Sequence, residues 1–406
     1  MKEGFFDITS EIGKLEAVLL HRPGKELERL TPQYLQELLF DDIPWLKKMR
    51  EEHNNFAKVM KDRDCSVYYY ESLLEEILLD REVRSSFIKD IVYNGNIDNV
   101  ELERVLIEFL LAKDSKELVE IAIAGLHKRD FPDIDREFHL VDYIRVDYPF
   151  YINPLPNLYF TRDIGAVIGQ GLSINKMNTP ARDRETMFLK YIYQYHPLFK
   201  NNEKPLWYDY KETHSIEGGD ILVLSEEVIA IGCSERTSPA AIETISQRLF
   251  QQGSIEKVIA IEIPFTRAYM HLDTVFTMVD YDKFTIYPGI EDMVKAYELT
   301  VGKTTPKVRP MKNLKDALKT TLRLPDVQLI QSGGGDEITA AREQWNDSTN
   351  TLAIAPGVVI TYDRNEASNA TLRKHGIEVI EIEGSELVRG RGGPRCMSMP
   401  LKRQNQ

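Results

Sequence analysis

Two stretches of the chain, residues 221–263 (ILVLSEEVIAIGCSERTSPAAIETISQRLFQQGSIEKVIAIEI) and 350–382 (NTLAIAPGVVITYDRNEASNATLRKHGIEVIEI), pass through the same order of events. Each has two apolar, β-rich runs around a turn, Ser-Glu-Glu in one and Pro-Gly in the other, then an arginine, a helical segment and a further strand. A hairpin–helix–strand unit of about forty residues has the length of an internal repeat. A looser copy starts at Asn157 (NLYFTRDIGAVIGQGLSINKMNTPARDRETMFLKYIYQYH), and others are expected around residues 15–39 and after Met270. Repeated units of this kind can close around an axis, and polar residues at the openings of the hairpins then meet at its centre.

A different pattern fills the stretch between Pro44 and Pro132, which contains no proline. ESLLEEILLDREVRSSFIKDIV and NVELERVLIEFLLAKDSKELVEIAIAGL carry apolar residues three and four apart, with YNGNIDN as the turn between them. Residues 71–145 are therefore predicted to be an inserted module of several short antiparallel helices, and residues 1–70 and 146–406 the α/β body.

The openings of the hairpins carry the candidate chemistry. NLYFTRD ends at Asp163, SIEGGD holds Glu217 and Asp220, and MHLD holds His271 and Asp273. A pocket of several acids and one histidine suits a hard metal ion, or a buried guanidinium whose five N–H donors match carboxylates bidentately. Taken singly, each aspartate reads first as a solvated turn residue or one bonded to local backbone. The global charge favours a cation: 51 Lys and Arg stand against 64 Asp and Glu, a formal charge of −13, which repels nucleic acid and anionic membranes. No apolar stretch has the length to span a membrane, and MKEGFFDITSEIGKLEAVLL lacks the pattern of a secretory signal, so the chain is expected in the cytoplasm.

The three cysteines form no CxxC or CxxH pair, which argues against a disulfide framework and structural zinc. Cys65 and Cys233 lie in or beside apolar strands and read as small core residues. Cys396 follows Gly390, Gly392, Gly393 and Pro394 in what reads as a flexible tail. Arg391 and Arg395 would favour its thiolate if they stand close in space. Local sequence leaves a reactive thiol and an inert exposed one as equal alternatives.

Together, PNLYFTRD, PARDRET, SIEGGD, SERT, MHLDT, APGVVITYDRN and CMSMPL, in this order, and LEAVLLHRPGKELERLTP near the start, resemble the arginine deiminase family of the guanidine-modifying (pentein) superfamily. The resemblance implies a five-bladed ββαβ propeller with pseudo-fivefold symmetry, in which the helical module is an insertion. It implies hydrolysis of L-arginine to L-citrulline and ammonia with no metal and no organic cofactor. Carried over by motif, Cys396 is the nucleophile, His271 the general acid and base, and Glu217 the partner of that histidine. Asp163 and Asp273 grip the guanidinium, while Arg182 and Arg236 take the α-carboxylate. Asn157 and Phe160 line the pocket, Arg391 matches a gating arginine of some members, and Asp220 supports the site from behind. A homo-oligomer, dimer or tetramer, is expected. The rival readings are another guanidine-modifying enzyme (an amidinotransferase, or a dimethylarginine or agmatine hydrolase), a non-catalytic arginine-binding protein, and a metalloenzyme.

Overall fold

The computed structural model describes residues 5–95, 97, 99–132, 140, 148–200 and 205–405. In the first clear repeat, Ile221–Val223 and Val228–Cys233 pair antiparallel, the helix Pro239–Gln252 follows, and Lys257–Glu262 returns parallel to the second strand. Leu352–Ala355, Val358–Tyr362, the helix Glu366–Lys374 and Glu378–Ile382 repeat that path. Gly165–Ile168, Gly171–Ile174, the helix Asp183–Tyr195 and Leu206–Tyr208 form the looser copy. After Met270 come Phe276–Met278, Lys283–Ile286, the helix Leu314–Thr321 and Gln328–Gln331. An extra hairpin inside this unit, Lys295–Thr300 with Lys307–Pro310, pairs with Lys257–Glu262 and widens the preceding sheet to five strands.

The copy expected around residues 15–39 is built differently. Leu15–Leu20 pairs antiparallel with Met399–Arg403 and parallel with Ser66–Tyr69, and the helix of the unit is Leu46–Lys61. This unit is split across the two ends of the chain, so its first strand comes last in sequence. Residues Lys25–Arg29 form only a short 3-10 turn.

Four helices, Tyr70–Ile77, Arg81–Tyr93, Val100–Leu111 and Ser115–Ala124, occupy the predicted helical stretch. Asp80, Asn99 and Asp114 cap the last three through their side chains, satisfying backbone N–H groups that have no intrahelical partner. Leu102, Leu106 and Leu110, spaced by four, bury one face. The helix Ser115–Ala124 gives way to Leu126–His127, which pairs with Phe150–Ile152; of the predicted stretch, residues 133–139 and 141–145 lie outside the described residues. The apolar residues of these helices belong to one continuous cluster with the sheet of Gly165–Ile168. Phe87 packs edge-on to Tyr191 at 5.1 Å and against Phe188 at 5.2 Å, on the helix Asp183–Tyr195. Among the described residues, no helix is long and apolar enough to cross a membrane.

The segment around Cys396 is not the flexible tail its glycines suggest. Residues 390–401 are buried, apart from a half-buried Arg389 just before them, and they run into the strand Met399–Arg403. Its glycines are there for lack of room. A Cβ on Gly392 would lie 2.2 Å from the Phe160 ring, and one on Gly393 2.7 Å from the Asn350 carbonyl oxygen. Gly392→Ala is accordingly expected to lower stability by roughly 1–3 kcal/mol through overpacking. A thermal melt checks this, since a mobile tail would accept the methyl group with no shift of the midpoint.

Candidate active site

Each of the five units brings a polar residue to the opening of its hairpin. Asp163 stands just before Gly165–Ile168, Asp220 before Ile221–Val223, Asp273 before Phe276–Met278, Asn350 before Leu352–Ala355, and Cys396 before Met399–Arg403. Short 3-10 turns, Pro156–Tyr159, Gly218–Asp220 and Leu272–Thr274, set the chain direction at three of these openings. Hydrogen bonds then join unit to unit in a closed ring. The Gly218 N–H donates to the Asp163 carbonyl (2.9 Å), the Leu272 N–H to Asp220 Oδ1 (2.7 Å), and Asn350 Nδ2 to the Asp273 carbonyl (3.2 Å). The Cys396 N–H donates to Asn350 Oδ1 (3.0 Å), and the Arg162 N–H closes the ring on the Cys396 carbonyl (3.0 Å).

Inside the ring the predicted acid–base pair is in contact. His271 Nε2 lies 2.7 Å from Glu217 Oε2, and His271 Nδ1 lies 3.6 Å from Asp163 Oδ1. Gly219 makes this approach possible, because a Cβ there would stand 2.7 Å from the imidazole ring. Burial disfavours the imidazolium, but Asp163, Glu217 and Asp220 together outweigh it and push the His271 pKa above its ordinary value. Burial likewise works against a charged Glu217, yet the bond from His271 and the charges of Arg236 and Arg182 hold its carboxyl below the usual range. Asp220, behind them, is pushed up to about 6 by burial; it accepts from Ser234 Oγ at 2.7 Å as well as from the Leu272 N–H.

The two aspartates share one arrangement. Asp163 gives Oδ2 to Arg182 Nη1 and Asp273 gives Oδ2 to Arg395 Nη1, both at 2.7 Å. Their second oxygens are spare. Asp163 Oδ1 is buried with no hydrogen-bond partner among the described residues, and Asp273 Oδ1 faces the Cys396 sulfur at 4.0 Å. Cys396 is 3 % exposed. Burial pushes its thiol well above the ordinary value, helped by Asp273, Asp163 and Asp347 and opposed by Arg395. Arg395 thus stands near the thiol, but its charge is spent on Glu11 and Asp273. Cys65 and Cys233 are pushed up to about 12 and about 11, by burial first.

A cavity of 130 Å³ opens onto this centre, and Asn157, Phe160, Asp163, Arg182, Arg236, His271, Arg391 and Cys396 are in its wall. Arg182 is more committed than the sequence suggests: Nε and Nη2 donate to Glu185 (3.0 and 2.8 Å), Nη2 also reaches the Asn157 carbonyl (3.3 Å), and Nη1 holds Asp163. Arg236 is freer, with only long contacts to Thr179 Oγ1 (3.4 Å), Met270 Sδ (3.6 Å) and Glu217 Oε1 (3.8 Å), and a buried Nε without a partner among the described residues. Arg391 takes a left-handed backbone (φ 62°) and stacks its guanidinium on Trp345, 3.5 Å from the ring centroid. Asn157 donates to the Leu38 carbonyl at 2.8 Å. Asp163, Glu217 and His271 also offer ligand atoms within 4.8 Å of one another, close enough for a metal ion.

Sequence reasoning missed Glu185, Glu11 and Asn350, and it gave Arg395 to the thiol alone. Asn350 could have been found, since it precedes the first strand of its unit as Asp163 does. Arg395 is 1 % exposed and uses all five N–H donors, on Glu11 (3.1 and 3.2 Å), Asp273 (2.7 Å), and the carbonyls of Gly219 (3.5 Å) and Ile221 (2.7 Å).

A family model described as arginine deiminase matches residues 36–403. A protein named arginine deiminase from Bacillus cytotoxicus is 52% identical over 404 residues, covering 98% of this chain and 98% of its own. Arginine deiminase 1 from Staphylococcus epidermidis is 50% identical over 413 residues, covering all of both chains. Among solved structures, SxtG, an amidinotransferase from Microseira wollei, superposes with a TM-score of 0.55 at 12% identity, covering 99% of this chain and 98% of its own. This last likeness speaks for a shared α/β fold.

Arg395→Met removes the guanidinium bonded to two buried carboxylates, Asp273 and Glu11. A loss of about 3–5 kcal/mol of stability is expected. Denaturant unfolding measures it, and a loss below about 1 kcal/mol would contradict the role given to this guanidinium.

Proposed function

Because the chain belongs to the arginine deiminase family, we propose that it hydrolyses L-arginine to L-citrulline and ammonia through a covalent intermediate on Cys396. The observation that supports this most is the meeting, at one cavity, of a buried thiol, an imidazole pushed toward its charged form and Asp163 with a spare oxygen, with Asp273 directly against the sulfur. Asp163 and Asp273 direct their Oδ1 oxygens to the substrate guanidinium, break the even sharing of its charge and hold its central carbon for attack. Binding of the cation releases the thiol proton to solvent, and the thiolate adds to that carbon. His271 delivers a proton to the departing nitrogen, the C–N bond breaks, and ammonia goes. The S-alkylthiouronium left on Cys396 is then attacked by water, whose proton passes to the now neutral His271. The C–S bond breaks, giving citrulline and the free thiol. Glu217 favours the imidazolium for the first half and orients it for the second.

Recognition of the other end falls mainly to Arg236, which has donors to spare, with the remaining N–H of Arg182 Nη1 beside it. We read Asn157, Phe160 and Arg391 as walls of the pocket and Asp220 as support behind His271. The five sheets, each a hairpin with a parallel third strand, and the ring of hydrogen bonds between their openings support a five-bladed propeller. Residues 71–145 are read as its helical insertion.

Burial and three acids hold the thiol in its neutral form in the free protein, so arrival of a guanidinium is the event that favours the thiolate. Alkylation of Cys396 by iodoacetamide should be slow at neutral pH and speed up only above the ordinary thiol range. A thiolate absorbance titrating below neutral pH in the free protein would refute this.

Purified protein should release citrulline and ammonia from arginine with no acceptor amine present and after exhaustive chelation, and Cys396→Ala should reduce citrulline to background. An absolute need for an acceptor amine would favour the amidinotransferase reading, and loss on chelation the metalloenzyme. Agmatine, which lacks the α-carboxylate, should be at least about a hundredfold worse in kcat/KM, because a buried guanidinium would be left unpaired. Comparable turnover of agmatine and arginine would remove Arg236 and Arg182 from substrate recognition.

A further inference from the structure

We propose that Asn350 is a catalytic residue whose side-chain amide donates a hydrogen bond to the attacking sulfur; this rests on Cys396 being the nucleophile. Asn350 Nδ2 lies 3.1 Å from Cys396 Sγ, and Asn350 is fully buried. The orientation of its amide is fixed by partners whose roles are not interchangeable. Oδ1 faces the Cys396 N–H (3.0 Å), which can only donate, and Nδ2 faces the Asp273 carbonyl (3.2 Å), which can only accept. The group against the sulfur is therefore N–H, and the sulfur is its acceptor.

Two consequences follow from that polarity. A neutral thiol accepting from Asn350 turns its own S–H away from the amide, toward Asp273, whose oxygens stand at 3.8 and 4.0 Å. On ionisation the same contact becomes charge-assisted and strengthens. Asn350 thus favours the thiolate at a centre where Asp273, Asp163 and Asp347 all oppose it. Position supports this assignment independently. Asn350 stands before the first strand of its unit as Asp163 does in another, yet this unit supplies a neutral amide where three others supply carboxylates. A carboxylate at 350 would face the sulfur with a further negative charge.

Asn350→Asp is the test, because it keeps shape and the acceptor for the Cys396 N–H while removing the donor to sulfur, together with that amide's bond to the Asp273 carbonyl. Iodoacetamide alkylation is followed against pH in the free protein, with the modified residue located by peptide mass, alongside kcat and KM for arginine. The variant is expected to alkylate at Cys396 about tenfold or more slowly at neutral pH, with the profile displaced to higher pH. It should lose at least as much in kcat while KM stays within about threefold. Asn350→Ser, whose hydroxyl can meet the N–H but is too short for the sulfur, should behave in the same direction and serves if the aspartate variant fails to fold. Unchanged profiles and kcat in a folded variant would overturn the assignment. If activity is lost with alkylation elsewhere than Cys396, or Cys396→Ala stays active, the nucleophile reading itself fails.

Discussion

The site exists because five hairpin openings are tied to one another in a closed ring of hydrogen bonds, from Gly218 on Asp163 round to Arg162 on Cys396. No link in this ring is local in sequence. Each needs two units to be in place, so a residue in the ring can be aimed to within a few tenths of an ångström only when the whole circuit is folded. Three of the five links pass through side chains, one through Asp220 and two through Asn350, and Asn350 also touches the sulfur. Structure and reactivity are therefore carried by the same atoms, and the reacting sulfur is held by its own backbone N–H and carbonyl. The split unit strengthens the closure: the strand that follows Cys396, Met399–Arg403, is locked against Leu15–Leu20, and Arg403 at its end donates to the carbonyls of Gly13 and Ala353 at 2.7 and 2.8 Å.

Buried charge follows the same plan. A carboxylate removed from water needs partners, and a protein guanidinium is the most economical one because its planar fork fits the carboxylate edge. Asp163 and Asp273 each receive such a partner on Oδ2, from Arg182 and Arg395. That contact fixes the rotamer of each aspartate while leaving Oδ1 uncommitted. The centre thus holds acids that are oriented and incompletely satisfied. A planar cation completes them, and water does so less well because it brings no charge. The thiol completes the scheme from the opposite side, since the negative surroundings that attract the cation also keep the sulfur protonated until the cation is present.

Much of this was legible in the sequence. The forty-residue units, the helical stretch with its asparagine-rich turn, and the placing of Asp163, Glu217, His271 and Asp273 at hairpin openings depend on local pattern and spacing, and local pattern is what a sequence displays; Cys396 was reached only through the motif CMSMPL. Three features depended on distance instead. The split unit could not be read from residues 15–39 because its first strand is at the far end of the chain. The glycines before Cys396 were read as freedom when they mark close packing, and a sequence looks the same in both cases. Arg182 and Arg395 were assigned to substrate and thiol by motif and proximity, whereas their donors go to Glu185, Asp163, Glu11 and Asp273, partners that only the fold brings near.

Asn350 shows why the repeat is the better guide to such a site than the list of charged residues. A search for titratable groups passes over an amide, and rightly expects acids to gather around a guanidinium. Yet a centre made only of acids would trap the cation beside a thiol that could not ionise. The pseudosymmetric position breaks that deadlock by offering, at one of five equivalent openings, a donor that carries no charge: it does not repel the substrate, and it gains strength as negative charge develops on sulfur. Differences among equivalent positions, more than the residues shared by them, decide which unit binds and which reacts.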